Sequence, residues 1–164
     1  MLIKFLSLYN KPNPISYYLV VGLVIKLLNA LIFSLCLYNH PELMSNPIDD
    51  EAVDYQIFLG VFLGPIFETY LFQVLIINFA DNFLSKNAKA QSLIVISLSA
   101  TIFAAVHYFS WAYQLAMIIP GFIFAYGYWF FRQQKSQAVA FWVVCVLHML
   151  YNLIVTILEL LLNI

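Results

Sequence analysis

Four polar side chains lie deep inside otherwise apolar segments, and their types suit hydrolytic chemistry. Glu68 is at the centre of the stretch "GPIFETYLFQ", with no Lys or Arg close to it in sequence. His107 and His148 occupy two further apolar segments, and Asn152 follows His148 in the same segment. Ionisable residues at membrane depth are costly and mark functional sites by default. These four residues are therefore the candidates for chemistry.

Their spacing and depth predict that the four side chains converge. His148 and Asn152 are four residues apart, as are Phe103 and His107, so each pair shares one side of a helix. With a rise of about 1.5 Å per residue, the four candidates lie roughly 17 to 24 Å from the same membrane face. Three helices of alternating direction thus bring their polar groups to a similar level.

Hydrolysis at a carbonyl group requires an activated water and a group that stabilises the oxyanion. Glu68 and His107 are suited to hold a water between them, with Glu68 as general base. His148 and Asn152 are suited to donate hydrogen bonds to the oxygen of the tetrahedral intermediate. Glu68, His107 and His148 are alternatively a three-ligand set for zinc or another divalent metal. The zincin helix H-E-x-x-H is absent from the sequence, and both routes stay open.

The elements that must position these residues are transmembrane helices. Of the 164 residues, 64% are hydrophobic and 9% are charged, whereas a soluble domain is about half apolar and a quarter charged. Spanning the hydrocarbon core takes about 20 residues. Five apolar stretches are long enough, at 15–38, 55–80, 91–110, 112–131 and 137–162. The sequence predicts an all-α, polytopic transmembrane helical bundle in the cell membrane.

The loops predict the orientation of the bundle. Six of the seven basic residues flank the same ends of the spans: Lys4, Lys11, Lys86, Lys89, Arg132 and Lys135. The loop at 39–54 has five acidic residues and no Lys or Arg. The positive-inside rule places the N-terminus in the cytoplasm and the C-terminus outside. We expect an N-terminal helix with an acidic outer loop at 1–54, a four-helix core carrying the site at 55–164, membrane lipid around them, and no nucleic-acid partner.

These residues resemble the three motifs of the CPBP family of intramembrane proteases, which includes CAAX prenyl proteases and bacteriocin-processing or immunity proteins. The motifs are E-E-x-x-x-R, F-x-x-x-H and H-x-x-x-N. The corresponding segments are "ETYLFQ", "FAAVH" and "HMLYN", at 68–73, 103–107 and 148–152.

The resemblance covers about residues 55–155 and implies a membrane-embedded endopeptidase. Its substrate would be a membrane-associated or lipid-modified peptide. It assigns catalysis to Glu68, His107, His148 and Asn152 and supporting roles to Thr69, Gln73 and Phe103. It leaves the metal requirement open.

The first motif departs from the family pattern at two positions. Thr69 stands where the family has its second Glu, and Gln73 stands where it has Arg. Residues at this spacing face each other along a helix, so Glu and Arg would pair there, and Thr and Gln can share a hydrogen bond. We interpret the change as a neutral replacement of a structural pair.

Three alternatives accompany the enzyme hypothesis. In the first, the chain is a catalytically silent relative that binds a membrane peptide, as an immunity or scaffold protein. In the second, it is a small transporter in which Glu68, His107 and His148 relay protons. The third alternative is structural. Lys26 has the same depth as Glu68 and would form an ion pair with it, and Asn152 would serve only as a hydrogen-bonding contact between helices.

Overall fold

The computed structural model describes residues 13–48, 51–83 and 88–162, and the regular structure in these residues is helical. Five helices follow one another: α1 Pro14–Cys36, α2 Val53–Phe83, α3 Ala88–Val106, α4 Trp111–Gln134 and α5 Gln137–Leu162. A short 3₁₀ turn, Pro41–Leu43, lies in the loop after α1. The predicted all-α bundle is confirmed. Several of the residues that predict its orientation lie outside the described residues: Lys4, Lys11, Lys86, Asp49 and Asp50.

Four of the five helices are long and apolar enough to cross a membrane. The fifth, α3, has a shorter apolar stretch at Ala90–Val106. It packs most extensively against α4, to which it is joined by residues 107–110. Gly121 permits this close approach, since a Cβ there would lie 2.8 Å from the carbonyl oxygen of Ala100. Small residues at helix contacts are how membrane helices bring their backbones together.

The helices alternate in direction, which gives the bundle two distinct ends. We call the end that carries residues 37–48 and 107–110 the loop end, and the opposite end, which carries Arg132, the arginine end. α1 runs antiparallel to α4, because Tyr18 donates a hydrogen bond to the carbonyl of Ile123 at 3.0 Å near one end and Asn29 reaches Ala116 further along.

Arg132 ties three helices together at the arginine end. Its guanidinium donates to Asn78 Oδ1 at 2.6 Å and pairs with Asp81 Oδ2 at 2.5 Å. Gln91 donates to the other Asp81 oxygen at 2.6 Å. Charge-assisted contacts that form a network of this kind are stronger than isolated surface ion pairs. The network joins α2, α3 and α4, next to a fully buried layer of large side chains: Ile77, Val95, Tyr128, Phe131 and Val144.

Pro120 interrupts the backbone hydrogen bonding of α4, and a side chain of α1 supplies the missing donor. A proline has no N–H, so the carbonyl of Ala116, four residues earlier, loses its helical donor. Asn29 donates its side-chain amide to this carbonyl at 2.9 Å. A freed carbonyl at membrane depth needs such a partner, and this contact fixes α1 against α4.

Candidate functional site

The structure brings Glu68 and both histidines together from three parts of the chain. Glu68 Oε2 lies 3.7 Å from His107 Nε2 and 3.9 Å from His148 Nε2. Glu68 comes from α2, His148 from α5, and His107 directly follows α3. Glu68 Oε2 is buried and makes no hydrogen bond within the described residues. A buried polar atom without a partner is rare and needs an explanation, and a small polar ligand between these three atoms would provide one.

The F-x-x-x-H spacing has a local structural reason. His107 Nδ1 lies 2.6 Å from the carbonyl oxygen of Phe103. Because a carbonyl can only accept, Nδ1 carries the proton and donates it. The backbone N–H of His107 bonds instead to Ala104, at 3.1 Å. The side chain thereby takes over the last α-helical acceptor, as histidines near helix C-termini do. Helix α3 therefore ends at Val106, before the predicted limit of 110.

This hydrogen bond also orients the reactive nitrogen of His107. With Nδ1 protonated, Nε2 of the neutral ring presents a lone pair toward Glu68. The ring is held on one side by Phe103, with centroids 4.5 Å apart, and stacks with Tyr113 at 6.0 Å. Phe103 itself is 1% exposed. It supports His107 through both its carbonyl and its ring.

His148 is held more by packing than by hydrogen bonds. It is 6% exposed, and its ring centroid is 4.4 Å from that of Phe124. Its Nδ1 is buried and makes no hydrogen bond within the described residues. The ring can therefore rest in either tautomer, whereas His107 is fixed in one.

Asn152 is bonded to the helix that carries Glu68. Its Nδ2 donates to the carbonyl of Gly60 at 2.7 Å. The N–H of Gly64 bonds to Leu59, five residues back, so the matching donor for Gly60 would be Pro65, which has no N–H. Asn152 replaces this missing donor. The contact repeats the arrangement of Asn29 and Pro120, and it uses one of the two hydrogens on the Asn152 amide nitrogen.

The backbone around Glu68 is not a regular α-helix. Gln56–Leu63 and Thr69–Leu75 are π-helical, and the α-helical turn Gly64–Glu68 lies between them. π-helical turns are rare and occur frequently at functional sites. A Cβ at Gly64 would lie 2.9 Å from the carbonyl oxygen of Leu59, so a glycine suits the turn that leads to Glu68. The apolar sequence of α2 contains no pattern that predicts these segments.

The two altered positions of the first motif do not form the predicted hydrogen bond. Thr69 and Gln73 are both 0% exposed. Neither amide atom of Gln73 has a hydrogen-bond partner within the described residues. Thr69 Oγ1 has no nitrogen or oxygen partner there, and its polar neighbour is the Cys145 thiol. The prediction that Thr and Gln share a hydrogen bond in place of the charged pair is therefore wrong.

Lys26 is a site residue that the motifs do not include. It is 1% exposed and lines the same cavity as Glu68. No ion pair joins the two among the described residues, so the predicted structural pair is not formed. Lys26 Nζ instead lies over two aromatic rings, 4.0 Å from the centre of Phe124 and 3.8 Å from that of Tyr151. The position of Lys26 deep within an apolar span is the sequence signal that could have identified it as a site residue.

A cavity of about 220 Å³ contains the whole cluster. Its lining begins at Lys26 on α1 and at His148 on α5, and continues along both helices toward the loop end. Residues Met44, Asn46 and Ile48 of the loop line its outer part. The cavity is thus one-sided, since its lining lies in the loop-end half of the bundle. A separate pocket at the arginine end is lined by Asp81, Gln91, Ser92, Trp129 and Gln133.

The donor arrangement does not make a closed metal site. Zinc with ligands at about 2.0–2.2 Å requires tight convergence of three side chains. Among the described residues, no group of three or more His, Cys, Asp and Glu side chains is placed to hold a metal ion. The separations of Glu68 Oε2 from His107 Nε2 and His148 Nε2, 3.7 and 3.9 Å, leave room for a small polar ligand.

Fold and site together define a polytopic membrane protein with a partly buried Glu–His–His cluster on a one-sided polar cavity. Residues 52–154 match the family model Rce1-like, described as type II CAAX prenyl endopeptidase Rce1-like. The match covers more than half of the chain, and the chain belongs to this family of membrane-embedded proteases. The predicted family relationship is confirmed. No curated protein and no solved structure matches the chain.

Proposed function

We propose that the chain is an intramembrane endopeptidase that hydrolyses a peptide bond of a membrane-associated or lipid-modified peptide with a water activated by Glu68. The observation that supports this most is the position of Glu68 Oε2 between two imidazole nitrogens, at 3.7 and 3.9 Å. These separations are too long for direct hydrogen bonds, whereas a water about 2.8 Å from each atom contacts all three.

In this mechanism Glu68 removes a proton from the water as its oxygen attacks the carbonyl carbon of the substrate. His107 accepts the second hydrogen of the water at Nε2, because its Nδ1 proton is committed to Phe103. The water is thereby oriented by one imidazole and deprotonated by the carboxylate. Glu68 then returns the proton to the nitrogen of the leaving amine.

The intermediate needs hydrogen-bond donors for its oxyanion. His148 supplies one when its Nε2 carries the proton. Asn152 has one amide hydrogen left after its bond to Gly60. Loss of a single donor of this kind typically slows turnover by about 10²–10³. The low polarity of the surrounding bundle strengthens each of these contacts.

The decisive experiment compares Glu68→Gln with the parent protein. Both are purified in detergent and tested on a peptide library, with thermal unfolding measured on the same samples. Loss of the general base predicts a fall in cleavage of about 10²–10⁴. Stability should hold or rise, because a buried charge is removed. Glu42→Gln is the matched control, since Glu42 is exposed in the loop and should cleave like the parent.

Two outcomes would contradict the proposal. A Glu68→Gln protein that cleaves as fast as the parent removes Glu68 from the chemistry. A parent that binds peptides without cleaving them is a silent relative of the family.

Metal dependence is tested separately. The water mechanism predicts that cleavage continues after treatment with a chelator and does not increase when zinc is added back. Activity that disappears with the chelator and returns with zinc would show that Glu68, His107 and His148 act as ligands instead.

A further inference from the structure

Lys26 is a buried basic side chain that the proposed mechanism does not use. Burying an ammonium is unfavourable unless an anionic group compensates for it. Glu68 attracts Lys26 electrostatically but forms no close ion pair with it among the described residues. The rings of Phe124 and Tyr151 compensate for part of this cost, since both lie within the range of a cation–π contact. Rings provide no hydrogen-bond acceptors of ordinary strength, and the ammonium has three donors. The site around Lys26 is therefore suited to an anionic oxygen that enters the cavity.

The position of Lys26 relates this anion site to the reaction. Lys26 and His148 both contact the ring of Phe124. The other ring that Lys26 contacts is that of Tyr151, which directly precedes Asn152 in the sequence. Lys26 and Glu68 line the same cavity, yet no ion pair joins them within the described residues. The carboxylate and the ammonium are thus available to different atoms of one substrate.

We propose that Lys26 is a further catalytic residue, whose Nζ stabilises the oxyanion of the tetrahedral intermediate. This inference rests on the proposed peptidase function. When the water oxygen bonds to the carbonyl carbon, the electron pair of the C=O double bond moves to the carbonyl oxygen. Lys26 donates a hydrogen bond to that oxygen. The C=O bond then re-forms, the C–N bond breaks, and the amine takes its proton from Glu68.

The neutral hydrogen-bond donors of the site, Asn152 and His148, do not supply a positive charge for the oxyanion. Asn152 already donates one amide hydrogen to Gly60. His148 donates a hydrogen bond either as a neutral imidazole or as a buried imidazolium. A fixed ammonium stabilises developing negative charge without reorganising the site. The negative charge of Glu68 is neutralised when the carboxylate accepts the proton from water. The positive charge of Lys26 then stabilises the oxyanion that forms.

The test is the steady-state kinetics of Lys26→Met, which keeps the length of the side chain and removes its charge. We expect kcat and kcat/KM to fall together by about 10²–10³, with KM unchanged, as for a contact made only in the transition state. Lys135→Met is the matched control. It removes the same charge from an exposed position at the arginine end and should leave both constants unchanged.

A second measurement covers variants that fold poorly or cleave too slowly. A peptide phosphonate carries a tetrahedral anion, and its affinity should drop in Lys26→Met by a factor similar to that in kcat/KM. A higher KM with unchanged kcat would show that Lys26 binds a group of the unreacted substrate, and would overturn the inference. So would unaltered kinetics, or failure of both Lys26→Met and Lys26→Gln to fold.

The two proposals fail in different ways. If Glu68→Gln abolishes cleavage and Lys26→Met does not alter it, only the role of Lys26 is lost. If Glu68→Gln cleaves like the parent, the peptidase mechanism itself is wrong.

Discussion

Gln73 is buried with both atoms of its amide lacking a hydrogen-bond partner within the described residues. Each unsatisfied buried polar group costs about 1–3 kcal/mol. Gln73→Met has a similar length and no amide, so it should raise the free energy of unfolding by on the order of 1–3 kcal/mol. Thermal unfolding in detergent measures this. Peptide cleavage by the same sample should match the parent, and a loss of cleavage would show that Gln73 contacts the substrate.

The family pattern can be restored at the two altered positions. Thr69→Glu together with Gln73→Arg should leave folding and cleavage largely intact, because the two charges neutralise each other along α2. Each single substitution should lower stability more than the double, since it buries one unpaired charge. Comparing the unfolding temperatures of the three variants is the test. Equal losses in all three would exclude pairing between these positions.

At the scale of the helices, two proline–asparagine pairs follow the same rule. Pro65 leaves the carbonyl of Gly60 without a donor, and Asn152 supplies one from α5. Pro120 does the same to Ala116, and Asn29 supplies the donor from α1. Each pair connects two helices through a carbonyl that a proline has freed.

A double-mutant cycle tests this account of Asn152. Asn152→Ala should cost about 1–3 kcal/mol in stability, because it leaves the Gly60 carbonyl unsatisfied. In a Pro65→Ala background the cost should shrink, since the substituted alanine supplies the missing N–H. The coupling should lie within about 0.5–3 kcal/mol. If Asn152→Ala costs the same in both backgrounds, Pro65 does not create the need for it.

Asn29 provides the comparison for catalysis. The same cycle with Pro120→Ala should show similar coupling in stability. Asn152→Ala should also lower turnover per folded molecule by on the order of 10²–10³ if it donates to the oxyanion. Asn29→Ala should not, because Asn29 does not line the cavity that contains the reacting cluster. Turnover corrected for the folded fraction separates the two roles.

How much of this arrangement the sequence predicts depends on the kind of signal. Glu68 and His148 stand out because a polar residue in an apolar span is unusual, and the four-residue spacing to Asn152 specifies a shared face. The π-helical turns around Glu68 leave no comparable signal, since α2 is apolar on most sides. The bond from Asn152 to Gly60 depends on how two helices meet in space. Lys26 has a clear signal of depth, but its ring contacts come from α4 and α5, far away in sequence.

At the scale of the whole molecule, the distribution of charge predicts that the loop end faces outward. The test uses single cysteines in a Cys36→Ser background, because Cys36 is exposed and Cys145 is buried. Ser45→Cys in the loop should react with a membrane-impermeant reagent in intact cells. Lys135→Cys at the arginine end should react only after the membrane is permeabilised. The reverse pattern would show that the positive-inside rule misplaces this chain.

The one-sidedness of the cavity has a consequence for the cell as well as for the reaction. Water that reaches Glu68 from the loop end meets, on the other side, a layer of fully buried side chains that includes Tyr128 and Phe131. Beyond it, the guanidinium of Arg132 is held by Asn78 and Asp81. Among the described residues, the lining of the cavity does not extend past this layer to Asp81 or Arg132. We therefore expect the proposed hydrolysis to take its water from the loop end alone, so that the ion gradients across the membrane are preserved.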